Sequence, residues 1–343
     1  MRKTLVVLAG LVLLLSAALP LAAQGIRAAE PFKVGTFSNN GQPWVGIVLR
    51  DRMIVELNAA NSDLESKPGI VKVPMPADMR DFITRYQSGM QRRAYEIVNA
   101  LIADNRLEGA SRPAYIHDAG TVKTLAPILY PTKMLNTAAN YYTRGLAADA
   151  RQADRGVPYL FMQPTVGAIV GDGEDILLPR GRNQIDAGCE IGIVIGRTTK
   201  YVKSGATNPY IFGYTLGLDI SDRGPRPSAS QFNSDWLQGK GHDTFAPMGP
   251  WIVPKEFVKD VFNLSQKLWV NDKLMQDGNS SDMIHTINEL VGYASEVMTL
   301  FPGDVIAAGS LGGAGFLKPG DKIRATIEGI GTLTHTVKAD RPE

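Results

Sequence analysis

The chain has 343 residues, 44% of them hydrophobic and 20% charged, an ordinary globular composition that excludes a disordered or fibrous protein and allows one large domain or two smaller ones. Its formal charge is +2, and the basic residues are scattered without interleaved aromatics, so nothing favours a nucleic-acid partner. Cys189 is the only cysteine, which excludes an intrachain disulfide.

In chain order, Arg2 and Lys3 precede an uncharged apolar run from Leu5 to Leu19, broken at Pro20 and followed by Leu21-Ala22-Ala23-Gln24. This is the three-part pattern of a secretory signal peptide over residues 1–23, with a cut expected after Ala23 and export to the periplasm or beyond. The alternative is an uncleaved membrane anchor, because the run nearly reaches the ~20 residues that span a bilayer. Loss of the leader removes Arg2 and Lys3 and no acid, which takes the formal charge from +2 to 0.

Phe32 to Phe37, Trp44 to Leu49 and Met53 to Glu56 read as strands, with Arg50-Asp51-Arg52 as a turn. Asp78 can cap a helix from Met79, and a second helix is expected over Gln91 to Ala103. Residues 31–125 thus read as a small α+β domain. Its boundary falls near Leu125 to Pro131, where Ala126-Pro127 and Tyr130-Pro131 hold the chain extended.

Residues 126–340 are richer in strands. Thr165 to Val170 and Ile176 to Leu178 flank Gly171-Asp172-Gly173, and Lys322 to Ile327 and Thr332 to Val337 flank Gly329-Ile330-Gly331. Pro302-Gly303-Asp304 and Pro319-Gly320-Asp321 read as turns that feed strands. Upstream of these turns a helix is expected, with Ser281 as its cap and apolar positions at Ile284, Ile287, Leu290, Val291 and Val297, ending before Pro302. The long irregular stretch is Ser221 to Gly241, and an ordered loop of that length is more often functional than idle.

The chemistry concentrates between Gly188 and Gly249. Glu190 opens the apolar strand Ile-Gly-Ile-Val-Ile, Asp219 closes Gly213-Tyr-Thr-Leu-Gly-Leu, and Lys240 stands between Gly239 and Gly241. Carboxylates at strand ends with a lysine nearby can bind a hard cation and an oxygen-rich anion together. An acid immediately before such an apolar run is costly to bury unless a cation partners it.

Several motifs in order, Asp186...Glu190-Ile-Gly-Ile-Val-Ile-Gly196, Phe212-Gly-Tyr-Thr-Leu-Gly-Leu-Asp219-Ile-Ser-Asp-Arg223, Lys240...Asp243-Thr-Phe-Ala-Pro-Met-Gly-Pro250, Gln276...Asn279-Ser-Ser-Asp-Met283 and Phe301-Pro-Gly-Asp-Val-Ile-Ala-Ala-Gly309, resemble the fumarylacetoacetate hydrolase family over roughly Leu125 to Val337. The resemblance implies an α+β, predominantly β fold: a mixed β-sheet roll behind a small α+β N-terminal domain. It also implies a homodimer, a cavity that holds Mg²⁺ or Mn²⁺, and a small 2-oxo or β-diketo acid as substrate. In that scheme Glu190 and Asp219 hold the metal and Lys240 steadies developing negative charge. Arg223 and Ser310 face a substrate carboxylate, and Tyr141 lies on the segment that lines the cavity.

Two departures stand against this pattern. The family's Glu-x-Glu reads Gly188-Cys189-Glu190, so one carboxylate is missing, and strand alternation points the Cys189 sulfur to the opposite face. Water can fill the gap, and on this reading Gly188→Glu should tighten Mg²⁺ binding. The family's Asn-Tyr-x-x-His-x-x-Glu reads Asn140-Tyr141-Tyr142-Thr143-Arg144-Gly145-Leu146-Ala147, which puts an arginine, a poor general base, at the His position. His242 and His285 lack metal-pair spacing and are assigned structural roles.

The expected function is a divalent-metal-dependent hydrolase or lyase acting on C–C bonds of a small 2-oxo or β-diketo acid. The alternative is an exported, family-derived binding protein or pseudoenzyme with a degraded metal and water-activation site. A purely structural exported protein would explain the leader but not Lys240 between its glycines.

Overall fold

The computed structural model describes residues 25–142, 155–228, 234–312 and 315–340. The apolar leader, Arg144 and Ala147 lie outside the described residues. No helix among the described residues is long and apolar enough to cross a membrane.

The first strands form an antiparallel meander of β1 (Phe32–Asn39), β2 (Gln42–Leu49) and β3 (Met53–Glu56). Arg50 and Asp51 turn the chain between β2 and β3 with φ of 53° and 55°. A helix over Leu57–Glu65 follows directly, an element not anticipated above. Asp78 caps Met79–Arg85 as expected, its side chain accepting from the Asp81 N–H at 2.8 Å, and Gln91–Ala103 is helical over the expected span. The short strands β4 (Ile116–Asp118) and β5 (Lys123–Thr124) close this part.

The remaining strands are β6 (Met134–Ala138), β7 (Tyr159–Gln163), β8 (Ile176–Leu178), β9 (Ile185–Ile195), β10 (Ile211–Asp222), β11 (Met248–Pro254), β12 (Ser265–Val270), β13 (Lys273–Asn279), β14 (Val305–Ala307), β15 (Lys322–Ile327) and β16 (Gly331–Ala339). One sheet has 11 strands, running β4-β3-β2-β1-β11-β10-β9-β14-β6-β7 with β5 on β1, and the other has five, β13-β12-β15-β16-β8. The β14–β6 and β16–β8 pairs are parallel and the others antiparallel, so the fold is α+β, predominantly β, with mixed sheets. Because β1 pairs with β11, the N-terminal strands extend the same sheet that carries β9 and β10.

Three local expectations are corrected. Thr165 to Val170 is not a strand: Gly167 turns at φ +84°, although the Gly167, Ala168 and Val170 carbonyls accept from the N–H groups of Thr244, Ala246 and Met248. The late helix begins at Ile287, not beside Ser281, because Thr286 and Glu289 form a reciprocal capping box, which leaves His285 ahead of the helix. The stretch from Ser221 to Gly241 is partly regular, with β10 running on to Asp222 and a short helix over Trp236–Lys240.

Strands β9 and β10 form the centre and are buried throughout. Period-2 alternation gives their two faces different tasks. On one face Ala187, Cys189, Ile191 and Ile193 join Tyr214, Leu216, Leu218 and Ile220 in an apolar core that also takes Ile287, Leu290 and Val291 of the late helix. On the other face Val194 and Phe212 pack with Phe82, Tyr86 and Ile97 of the N-terminal helices. The same face at the opposite end of the strands carries Asp186, Gly188, Glu190, Gly217, Asp219 and Ser221, in direct register as Asp186↔Ser221, Gly188↔Asp219 and Glu190↔Gly217.

Candidate active site

That polar end of the β9–β10 face is the floor of a cavity of about 300 Å³, and Tyr141, Glu190, Asp219, Arg223, Lys240 and Ser310 all line it. Six residues spread over some 170 positions of sequence thus line one cavity. Cys189 points the other way, into the apolar core, and burial pushes its thiol up.

Glu190 is 2% exposed and its Oε2 accepts from the Gly309 N–H at 2.9 Å. Residue 309 must be glycine: its φ is +86°, and a Cβ there would lie 2.8 Å from the Asn140 Cβ. Asn140 also fixes this corner, because its Nδ2 donates to the Ala308 and His285 carbonyls while its Oδ1 accepts from the His285 N–H.

Asp219 forms a buried ion pair with Lys240, whose Nζ also donates to Ser221 Oγ at 2.6 Å and stands 4.8 Å from the centre of the Phe161 ring. Lys240 ends the helix Trp236–Lys240, which Asp235 caps through the Gln238 N–H, so the lysine is delivered from a rigid turn. Gln163 braces the pair from β7, donating to the Lys240 and Phe245 carbonyls at 3.3 Å. Phe161 stacks on Trp236 at 4.5 Å and forms an aromatic wall above the ammonium.

Burial pushes the Glu190 carboxyl well up, and the neighbouring Asp219 adds to this. Burial raises Asp219 as well, with Lys240 pulling against it. At the mouth, Arg223 is half exposed and its Nε donates to both oxygens of Asp186 at 3.1 Å. Tyr141 accepts from Gln266 Nε2 at 2.8 Å, which leaves its own O–H as a donor, and burial raises its phenol. His242 packs edge-on against Phe245, and burial lowers His285, consistent with structural roles for both.

Among the described residues no group of three His, Cys, Asp or Glu side chains could hold a metal ion. The charges nonetheless fit a cation: two buried carboxylates face one buried ammonium, and the missing positive charge must come from a proton or a bound ion. The donors are all oxygen, which suits Mg²⁺ or Mn²⁺.

Phe161, Gln163, Ser221 and Trp236 were not anticipated. Ser221 could have been found, since it stands two residues beyond Asp219 on the same strand face. Phe161, Gln163 and Trp236 come from separate elements with no local signal of convergence.

The sequence pattern of the family described as fumarylacetoacetate (FAA) hydrolase C-terminal matches residues 133–338. The chain belongs to the fumarylacetoacetate hydrolase family. Among family relatives, it is 34% identical over 225 residues to a mitochondrial oxaloacetate tautomerase of Bos taurus, covering 63% of this chain and 69% of the relative. The crystal structure of a 5-carboxymethyl-2-hydroxymuconate delta-isomerase from Mycobacterium smegmatis is 35% identical with a TM-score of 0.58, over 67% of this chain and 87% of that one. A maleylpyruvate hydrolase from Sphingobium sp. SYK-6, solved with manganese(II) and pyruvate, is 26% identical with a TM-score of 0.69, over 90% of this chain and 100% of that one.

Proposed function

We propose that this protein is a divalent-metal-dependent hydrolase or lyase that acts on C–C bonds of a small 2-oxo or β-diketo acid, with Mg²⁺ or Mn²⁺ at Glu190 and Asp219. The observation that carries the proposal is the convergence of Glu190, Asp219 and Lys240 on the floor of one cavity. The maleylpyruvate hydrolase that binds manganese(II) and pyruvate supports the substrate class. The leader makes export part of the same proposal.

A bound divalent cation would supply Lewis-acid polarisation of a substrate carbonyl. The residues of the chain do the rest. Arg223, its guanidinium plane fixed by Asp186, receives the substrate carboxylate at the mouth. Lys240 spends two of its N–H bonds on Asp219 and Ser221, leaving the third for an oxygen that becomes negative during reaction. The Phe161–Trp236 wall keeps water from the ammonium and strengthens that interaction. Tyr141 can donate its O–H to a second substrate oxygen.

The test is to incubate the purified protein with Mg²⁺ or Mn²⁺ and a panel of acylpyruvates and oxaloacetate, following loss of enol absorbance. Turnover that is abolished by Glu190→Gln is the expected result. Binding of these acids without turnover would replace the proposal with the binding-protein reading, which the departures at positions 188, 144 and 147 taken together favour.

A further inference from the structure

The cavity wall directly above Gly188 is formed by Ser310. A Cβ built at Gly188 would lie 2.2 Å from Ser310 Oγ and 3.8 Å from Glu190 Oε1, so the Ser310 hydroxyl stands where a side chain at 188 would begin. Gly188 is the direct cross-strand partner of Asp219 and lies two residues from Glu190 on the same face. The hydroxyl therefore stands over one of the two glycines that border both carboxylates, the other being Gly217.

Ser310 is held there by its surroundings. On one side, Gly309 turns with φ +86° and donates its N–H to Glu190. On the other, Gln276 Nε2 donates to the Leu311 and Gly312 carbonyls at 2.5 and 2.9 Å, while its Oε1 accepts from the Cys189 N–H. Both anchors tie the segment around Ser310 to β9.

We propose that the Ser310 hydroxyl is the third protein oxygen of the metal site, in place of a carboxylate at position 188, and that Gly188 is required because any side chain there evicts it. The inference rests on the metal-dependent reading above. It also overturns the earlier expectation for Gly188→Glu: a single substitution meets the hydroxyl at 2.2 Å and weakens binding, and only together with Ser310→Gly does it strengthen it. A neutral hydroxyl leaves the site one negative charge poorer than a carboxylate would, so affinity is modest and all-oxygen.

The experiment is Mn²⁺ titration of the full protein by calorimetry and by the electron paramagnetic resonance of free Mn²⁺. Ser310→Ala should weaken binding about tenfold or more. Gly188→Ala should do the same, since Ser310 Cβ lies 3.2 Å from the new methyl and only the hydroxyl must rotate away. The double variant should lose no more than either single one. Ser310→Cys should shift preference from Mn²⁺ toward Cd²⁺ by about tenfold, a thiophilic swap that a structural serine would not produce and that decides the matter if the alanine variant fails to fold. Wild-type affinity in Ser310→Ala alongside loss of binding in Glu190→Gln would overturn the role of Ser310 alone. Absence of Mn²⁺ binding in the unaltered protein would instead overturn the metal-dependent reading itself.

Discussion

Lys240→Met keeps most of the volume of the lysine stem and removes its charge. Asp219 then remains on the cavity floor without its ion-pair partner, its side chain 10% exposed. A buried carboxylate without a partner takes up a proton rather than stay ionised. In the unfolded chain that carboxyl titrates at its ordinary value of 3.8. Holding a proton on it at pH 7 costs ~1.4 kcal/mol for each of roughly three pH units, or about 4 kcal/mol, inside the ~3–5 kcal/mol range for breaking a buried pair. The folded variant binds one more proton than the unfolded chain, so its stability falls as pH rises. Urea denaturation of the metal-free protein should therefore show a loss of about 4 kcal/mol at pH 7 that shrinks to about 1.5 kcal/mol at pH 5. Adding Asp219→Asn should recover most of the loss. A deficit that does not change with pH, or one below about 1 kcal/mol at pH 7, would mean that Asp219 is solvated and that the buried pair is not what organises the floor.

Arg223→Gln should raise KM for a 2-oxo acid on the order of tenfold with a smaller change in kcat, and should lower stability by about 1 kcal/mol, because Arg223 is half exposed but Asp186, which loses its partner, is buried; steady-state kinetics and urea melts check both. Cys189 is 2% exposed and its thiol is pushed up, so the folded protein should react with a thiol reagent at pH 8 only as fast as it unfolds. Immediate labelling would contradict the orientation of β9. Burial holds the His335 imidazole below its ordinary 6.5, and its Nδ1 lies 2.8 Å from the Glu174 carbonyl. A depressed value means the stabilisation is present above pH 6.5 and is lost as pH falls, so thermal melts should weaken on acidification and His335→Asn should flatten that trend.

What the residues revealed and what they hid has a physical pattern. Met53–Glu56, Gln91–Ala103 and Lys322–Ile327 carry a clean period bounded by turn or cap residues, and the structure places them over those spans. Leu57–Glu65 escaped because it follows β3 with no intervening turn and Glu56 makes no side-chain cap. The start of the late helix was misplaced even though Thr286-Ile-Asn-Glu289 was present, since Ser281 offered a rival cap; only packing of Ile287 and Leu290 into the core decides between them. At the site, Glu190, Asp219 and Lys240 were legible because the motifs that hold them are local. Ser310 was read as facing a substrate carboxylate, and its place over Gly188 was hidden, because nothing in sequence spacing brings residue 310 across β9.

The deeper regularity is how β9 and β10 share out their acids. In register, Glu190 faces Gly217 and Asp219 faces Gly188, so each carboxylate stands opposite a glycine, not opposite the other acid. Directly opposed like charges on a sheet repel, and a diagonal arrangement separates them by roughly 7–8 Å while keeping both on one face. The two glycines differ in what stands over them: a Cβ at Gly217 would approach nothing closer than 3.9 Å, whereas one at Gly188, which lines the cavity, would meet the Ser310 hydroxyl at 2.2 Å. One open glycine and one glycine capped by a hydroxyl make the two ends of the floor chemically unequal. The cavity lies over the Gly188 end, where Asp186, Gly188, Arg223 and Ser310 line it and Gly217 does not, so a carboxylate that reaches Arg223 does so beside the Ser310 hydroxyl. The missing carboxylate thus turns a symmetric pair of acids into a site with a direction.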